Sequence, residues 1–239
     1  MAGARTVKQA GRDAAPVLAV LALCPLVAAL APDDPAAPLA RLRTLISAQD
    51  ALGLPPETGL VAWLAGHPAL DAAARAFHLF VHLPATVGVM VWAWLERRAA
   101  FPLIRDTFVA AQALTMAGNA LTPVAPRWML APGAAPPHGW VYVLQSPYAA
   151  MPSGHMVFAL IAGGAVFALT RSPALRAAAL AYPVLVLFII AATANHLWLD
   201  AIVGAVVAGV AYAGAAARQR WVRRVRRVGA PMLVRQEQG

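Results

Sequence analysis

Charge is what this sequence has least of. Asp, Glu, Lys and Arg make up 12% of its 239 residues, against about 25% in a soluble domain. A chain that is 61% hydrophobic cannot cover a water-facing surface with so few polar groups, which excludes an ordinary soluble globule. Cysteine is nearly absent as well. The single Cys24 excludes an intrachain disulfide and any multi-cysteine metal centre, and its place inside an apolar run reads as a structural, lipid-facing thiol. Acidic residues are also scarce, 10 against 19 Lys and Arg, giving a formal charge of +9. A basic balance admits nucleic acid as a partner, but the placement of the cations argues against it. Arg218, Arg220, Arg223, Arg224, Arg226, Arg227 and Arg235 follow the last apolar run, and Arg5, Lys8 and Arg12 precede the first. Those are the flanks of segments held against anionic lipid.

What is present is a series of six apolar runs, at residues 14–31, 76–95, 107–122, 156–170, 177–195 and 201–217. A spanning helix needs about 20 residues, within about 17–25, so the third and fourth runs are expected to extend into their polar flanks. The expectation is an all-α integral membrane protein with six transmembrane helices over 14–217, a cytoplasmic segment 1–13 and a basic cytoplasmic tail 218–239. The first run also has the form of a signal peptide, but it is long for an h-region and is read as an uncleaved anchor. With the N-terminus inside and six alternating spans, 15 of the cations fall on the inner side and 4 on the outer. That is a positive-inside pattern with both termini cytoplasmic, and a bacterial plasma membrane is the expected location. Residues 32–75 form a long outer loop with short interfacial helices over 37–51 and 59–74, Trp63 serving as a headgroup-level anchor. Residues 122–150, rich in Pro and Gly, read as an ordered loop.

The chemistry is concentrated at two places. In Met151-Pro152-Ser153-Gly154-His155, Pro152 blocks a helix upstream and Ser153 is a good N-cap for the apolar run that follows. The free N–H groups and positive dipole end of such a helix start suit a phosphate, and His155 lies within the same first turn. In Asn195-His196-Leu197-Trp198-Leu199-Asp200, His196 and Asp200 are four residues apart and share one helix face. A carboxylate there holds one imidazole nitrogen as a donor and leaves the other free as a nucleophile. The two histidines are separated by 41 residues, the length of two spans of about 17–20 residues and a short inner turn at 170–176. Both therefore return to the outer face. Arg127, in Pro123-Val124-Ala125-Pro126-Arg127-Trp128, follows the third span on that same face, where a guanidinium grips phosphate oxygens in bidentate fashion.

Pro-Ser-Gly-His followed by His-x-x-x-Asp resembles the type 2 phosphatidic acid phosphatase superfamily, over roughly residues 59–217. The resemblance implies His196 as the nucleophile on phosphorus, Asp200 as its orienter and His155 as the general acid. It implies that Ser153 and the Gly154 N–H stabilise the transferring group, with Arg127 the nearest substitute for a phosphate-binding cation. It implies no metal and no cofactor, a lipid phosphate or diphosphate as substrate, and a phosphohistidine intermediate. The family's first motif, a Lys and an Arg-Pro six residues apart, is absent. The Arg that stands six positions before the motif-three histidine is Ile190 here. That pattern is closest to the inositol phosphorylceramide synthase-like branch, which transfers a phosphorylated headgroup to a lipid acceptor.

Three other functions fit parts of the sequence. An intramembrane serine protease would use Ser153 with His196, but it leaves His155 and Asp200 without roles, and Met151 stands where a Gly is expected. A haem protein would use histidines on separate spans. A non-catalytic membrane scaffold remains compatible with Ile190. His78 and His82, four residues apart, read as packing or substrate-headgroup contacts before a metal or haem pair. Gln112 and Asn119 read as interhelical hydrogen bonds.

Overall fold

The computed structural model describes residues 7–131 and 146–236, without side-chain detail for Val7, Leu79 and residues 226–236. Arg5, and residues 132–145 of the Pro- and Gly-rich stretch, lie outside the described residues. Among the described residues the chain is all helical. Helix α1 (Val7–Ala22) and the short α2 (Cys24–Ala29) form one nearly continuous rod, interrupted at Leu23. Then come α3 (Ala36–Ala51), α4 (Thr58–Ala65) and α5 (Pro68–Ala76), the short helices expected between the first two apolar runs. A π-helical turn (Phe77–Val81) joins α5 to α6 (His82–Glu96), so one rod runs from Pro68 to Glu96. Helix α7 (Phe101–Leu121), a 3-10 turn (Arg127–Leu130), α8 (Gly154–Leu169), α9 (Pro173–Ala192) and α10 (Trp198–Gln236) complete the order.

Among the described residues three helical segments are long and apolar enough to cross a membrane: Lys8–Ala29, Pro173–Ala192 and Trp198–Val225. Helix α8 is apolar but has 16 residues. Helix α7 has the length but carries Arg105, Asp106, Thr107, Gln112, Thr115 and Asn119. The reason is its central position, packed against α1, α8 and α10. Its buried residues, Phe101, Ile104, Phe108, Ala111, Thr115 and Asn119, recur every three or four residues and mark an inward face. The core forms where that face meets Val157, Ile161 and Ala165 of α8 and Ala211 of α10. Outward-facing residues of α1, α9 and α10 remain apolar: Leu18, Leu180, Val184, Val206 and Val210 are all exposed. An apolar exterior of this kind suits a lipid surrounding.

Cys24 is not lipid-facing. Its Sγ lies 3.7 Å from the Met116 Sδ and 3.4 Å from Gln112 Nε2, so the thiol packs on α7. Gln112 thereby makes the interhelical contact expected of it. The tail expected after residue 217 is a continuation of α10 as far as Gln236.

The two ends of the bundle differ in chemistry. At one end Arg105 bonds Asp106 at 2.7 Å and Asp13 at 3.3 Å, and Arg218 bonds Asp106 at 2.6 Å, tying α1, α7 and α10 together. Trp94 of α6 donates to the same Asp13. At the other end lie His155, His196 and Asp200. On α10, Asp200 and Arg218 are separated by roughly 27 Å at 1.5 Å per residue, close to the hydrocarbon thickness of about 30 Å. A membrane-impermeant maleimide tests this division in a Cys24→Ala background. Asp34→Cys, beside the histidine end, and Ser172→Cys, in the α8–α9 turn, are expected to react from opposite sides of sealed vesicles.

Candidate active site

Ser153 caps α8 as its residue type suggests: its Oγ accepts the Met156 N–H at 3.3 Å, and Val157 N–H bonds the Ser153 carbonyl. The Ser153 N–H donates to the Asp200 carbonyl at 3.2 Å, anchoring the start of α8 to the start of α10. Close approach here depends on two glycines. A Cβ on Gly204 would sit 2.6 Å from the Ser153 carbonyl oxygen, and one on Gly118 would sit 2.6 Å from the Pro152 ring. Ser153 is fully buried, whereas Gly154 and His155 are partly accessible. Their N–H groups lie in the first turn, where an α-helix supplies no internal acceptors.

His196 is delivered by the turn that ends α9. Ala194 takes a left-handed conformation (φ 57°), costing about 1 kcal/mol for a residue with a Cβ. The turn holds because the Ile190 carbonyl accepts from both Asn195 and His196, Asn195 bonds the Thr193 hydroxyl, and the Ala194 carbonyl accepts from Trp128 N–H. The Ile190 side chain is 1% exposed and packs with Ala159, Val186 and Ala201. An apolar side chain is well housed there.

The two imidazoles meet. His155 Nδ1 lies 3.2 Å from His196 Nε2, and the ring centroids are 5.3 Å apart in an edge arrangement. On its other side His196 Nδ1 lies 2.8 Å from the Ala150 carbonyl oxygen. A carbonyl only accepts, so Nδ1 carries the proton and Nε2 presents its lone pair toward His155. Asp200 is less direct than its spacing suggests. Its Oδ2 is 3.6 Å from His196 Nδ1 but accepts the Leu197 N–H at 2.8 Å. It is the N3 member of a capping arrangement on α10, and it acts on His196 through its charge.

The remaining free amides of that helix start are taken by residues with no motif to announce them. Glu57 Oε1 accepts the Trp198 N–H at 2.8 Å, and Gln49 Oε1 accepts the Leu199 N–H at 3.2 Å. Gln49 Nε2 bonds Glu57 at 2.9 Å, and both side chains are buried. Arg127 donates to Glu57 Oε2 at 2.8 Å, so the arginine assigned to phosphate is held in an ion pair beside the start of α10. The only sequence signal for Glu57 is an acidic residue in a mainly apolar stretch.

The histidine cluster is larger than the motifs. His78 stacks on His155 with centroids 4.1 Å apart and planes 24° apart, and His82 lies 5.2 Å from the same ring. The headgroup-contact reading of this pair is compatible with that position. Tyr148 is buried against Leu42, Val124 and Leu197, packing the loop rather than opening into the cluster. Among the described residues no group of three or more His, Cys, Asp or Glu is arranged to hold a metal ion. Ser153 Oγ serves as a helix cap, and His196 is engaged by Ala150 and His155, which leaves a protease dyad without its hydrogen bond.

Paired imidazoles at the ends of apolar helices define a class of site suited to moving a group through histidine. The PAP2 superfamily model matches residues 43–214, well over half of the chain, including all six site residues proposed from the sequence. The chain belongs to the PAP2 superfamily, whose members are generally phosphatases or phosphotransferases. No curated protein and no solved structure matches it significantly.

Glu57→Ala removes the partner of Arg127 and uncaps Trp198 together. Breaking a buried ion pair from one side costs about 3–5 kcal/mol. Thermal unfolding in detergent is expected to register a loss of that order, with Glu57→Gln retaining the cap and losing less.

Proposed function

We propose that this chain is a membrane lipid phosphatase acting on a lipid phosphate or diphosphate at the extracytoplasmic face, through a phosphohistidine at His196. The observation that carries the reading is the 3.2 Å approach of His155 Nδ1 to a His196 Nε2 whose opposite nitrogen is committed to the Ala150 carbonyl. One ring is thereby prepared as a nucleophile, and the other carries a proton directed at the same point. Ring nitrogens this close make a hydrogen bond with each other, so the substrate phosphoryl group enters by displacing it. The rings part until His196 Nε2 stands about 3–3.5 Å from phosphorus.

His196 Nε2 then forms the N–P bond in line as the bond from phosphorus to the leaving oxygen breaks. The leaving oxygen takes the Nδ1 proton of His155, which enters the step as an imidazolium and leaves it as a neutral ring. In the second half water gives its proton back to His155 and attacks phosphorus, breaking N–P and releasing phosphate. Asp200 and the Ala150 carbonyl stabilise the positive charge that grows on His196. The Gly154 N–H and the Ser153 hydroxyl donate to the phosphoryl oxygens as negative charge accumulates there. Arg127 takes part by directing to a phosphoryl oxygen the guanidinium N–H groups that its single Glu57 contact, through Nη1, leaves over.

The topology that goes with this reading uses six spans: the α1–α2 rod, the α5–α6 rod, α7, α8, α9 and α10. Both termini and the Asp13–Arg105–Asp106–Arg218 network lie on the cytoplasmic side, as the 15-to-4 division of cations favours. The apolar exterior lets a lipid substrate reach the site laterally from the bilayer. A second reading, headgroup transfer in the manner of the inositol phosphorylceramide synthase-like branch, is favoured by Ile190. It differs in both halves: the donor is a phosphodiester lipid, whose lipid alcohol leaves while the phosphorylated headgroup stays on His196, and an acceptor alcohol replaces water in the second half.

Purified protein supplied with lipid monophosphates, diphosphates and an inositol phospholipid plus an acceptor alcohol, with free phosphate and headgroup-exchanged lipid followed together, separates the two. Hydrolysis is expected, with His196→Ala at background and His155→Ala reduced by about 10²–10⁴-fold. An acid-labile, base-stable phosphoryl label is expected on His196 after a rapid quench. Full activity in His196→Ala would overturn the mechanism, and a transfer product without free phosphate would select the second reading.

A further inference from the structure

We infer that His78 and His82 form the phosphoryl-binding pair of this site, their Nε2–H groups holding non-bridging oxygens while His196 and His155 act along the reaction axis. The inference rests on the phosphoryl-transfer reading for the identity of the ligand. The pair itself rests on geometry. A phosphoryl group brings several anionic oxygens that need fixed donors, and Arg127 is already shared with Glu57 at 2.8 Å. Both rings instead lie against the ring of His155, His78 at 4.1 Å and His82 at 5.2 Å between centroids.

The backbone between them is unusual. The His82 N–H donates to the Phe77 carbonyl five residues back, a π-type turn within an otherwise α-helical rod. Turns of this kind interrupt helices mostly at functional sites, since they forgo regular hydrogen bonding to re-aim side chains. His82 is held further by α9: its Nδ1 lies 2.9 Å from the Tyr182 hydroxyl. The same hydroxyl lies 3.5 Å from the His82 carbonyl oxygen, a longer contact than the 2.9 Å to Nδ1; donated along the shorter one, its single proton leaves the ring N–H on Nε2.

The Nε2 atoms of both histidines are buried and have no hydrogen-bond partner among the described residues. A structural role in packing would leave those two ring nitrogens without a protein partner among the described residues, an arrangement that proteins avoid. An oxyanion satisfies both. Neutral imidazoles also hold an anion without the desolvation penalty of burying further fixed cations.

The test uses the full chain in detergent with orthovanadate and inorganic phosphate as probes, binding being measured by titration calorimetry. His78→Leu and His82→Leu remove the donor. His78→Gln and His82→Gln put an amide N–H near the Nε2 position, and His82→Asn puts one near Nδ1 instead. Each Leu variant is expected to weaken orthovanadate by about tenfold or more, equivalent to one lost hydrogen bond to a charged group. The Gln variants are expected to recover most of that loss and His82→Asn none of it, a pattern that loss of packing alone does not produce. KM for a phosphate ester is expected to follow the same order. Should the buried His82→Leu fail to fold, the more accessible His78→Leu carries the comparison.

Unchanged affinity in the Leu variants, Gln no better than Leu, or a wild-type chain that binds neither anion would overturn the pair. The catalytic reading fails separately. Anion binding that depends on His78 and His82, with neither turnover nor a labelled His196, would remove the mechanism and leave the anion site.

Discussion

The site depends on one hydrogen bond, that from His196 Nδ1 to the Ala150 carbonyl. At 2.8 Å it decides which nitrogen of His196 holds a proton, and so which nitrogen is available to react. It also joins two stretches of non-helical backbone, the loop ahead of α8 and the turn ahead of α10. The same loop is laced further: Val124 N–H bonds Tyr148, Ala150 N–H bonds Val124, and Ser153 N–H bonds Asp200. Irregular backbone at the edge of a bilayer is tolerated only where protein satisfies its polar groups. Here the bonds that satisfy it are those that aim the imidazole.

The two helix starts at this end have different tasks. That of α10 is closed, its Leu197, Trp198 and Leu199 amides bonded to Asp200, Glu57 and Gln49. That of α8 has its Met156 and Val157 amides bonded to Ser153, with Gly154 and His155 at the accessible edge. The first arrangement stiffens the helix start that follows His196; the second is where the proposed phosphoryl group would find free amides. Helix α3 and the segment carrying Glu57 are therefore part of the site's framework, although they lie more than 130 residues from the His196 they support.

Legibility in the sequence followed the range of the interaction. Ser153 as a cap was readable because capping is local. So was the return of His155 and His196 to one end, because helix length and membrane thickness limit where 41 residues can lead. The short helices of the 32–75 segment were readable from mixed polarity. What escaped was set by partners distant in the chain. Arg127 reads as a free phosphate ligand until Glu57, 70 residues earlier, is found bonded to it. Asp200 reads as the direct partner of His196, but it is nearer the Leu197 amide, and a backbone carbonyl, invisible to any motif, takes its place. Cys24 reads as lipid-facing because its run is apolar all round, yet it packs on α7. The count of spans was least legible, because α7 carries its polar residues on a face buried by other helices, while length and apolarity alone single out three crossing segments.

The most direct test of the account is an experimental structure of the protein with orthovanadate bound. The account predicts a trigonal bipyramidal vanadium joined to His196 Nε2, with His155 Nδ1 at hydrogen-bond distance from the opposite apical oxygen and the Ala150 bond to Nδ1 intact. Vanadate bound away from His196, or the two rings turned to different sides of the bundle, would contradict it.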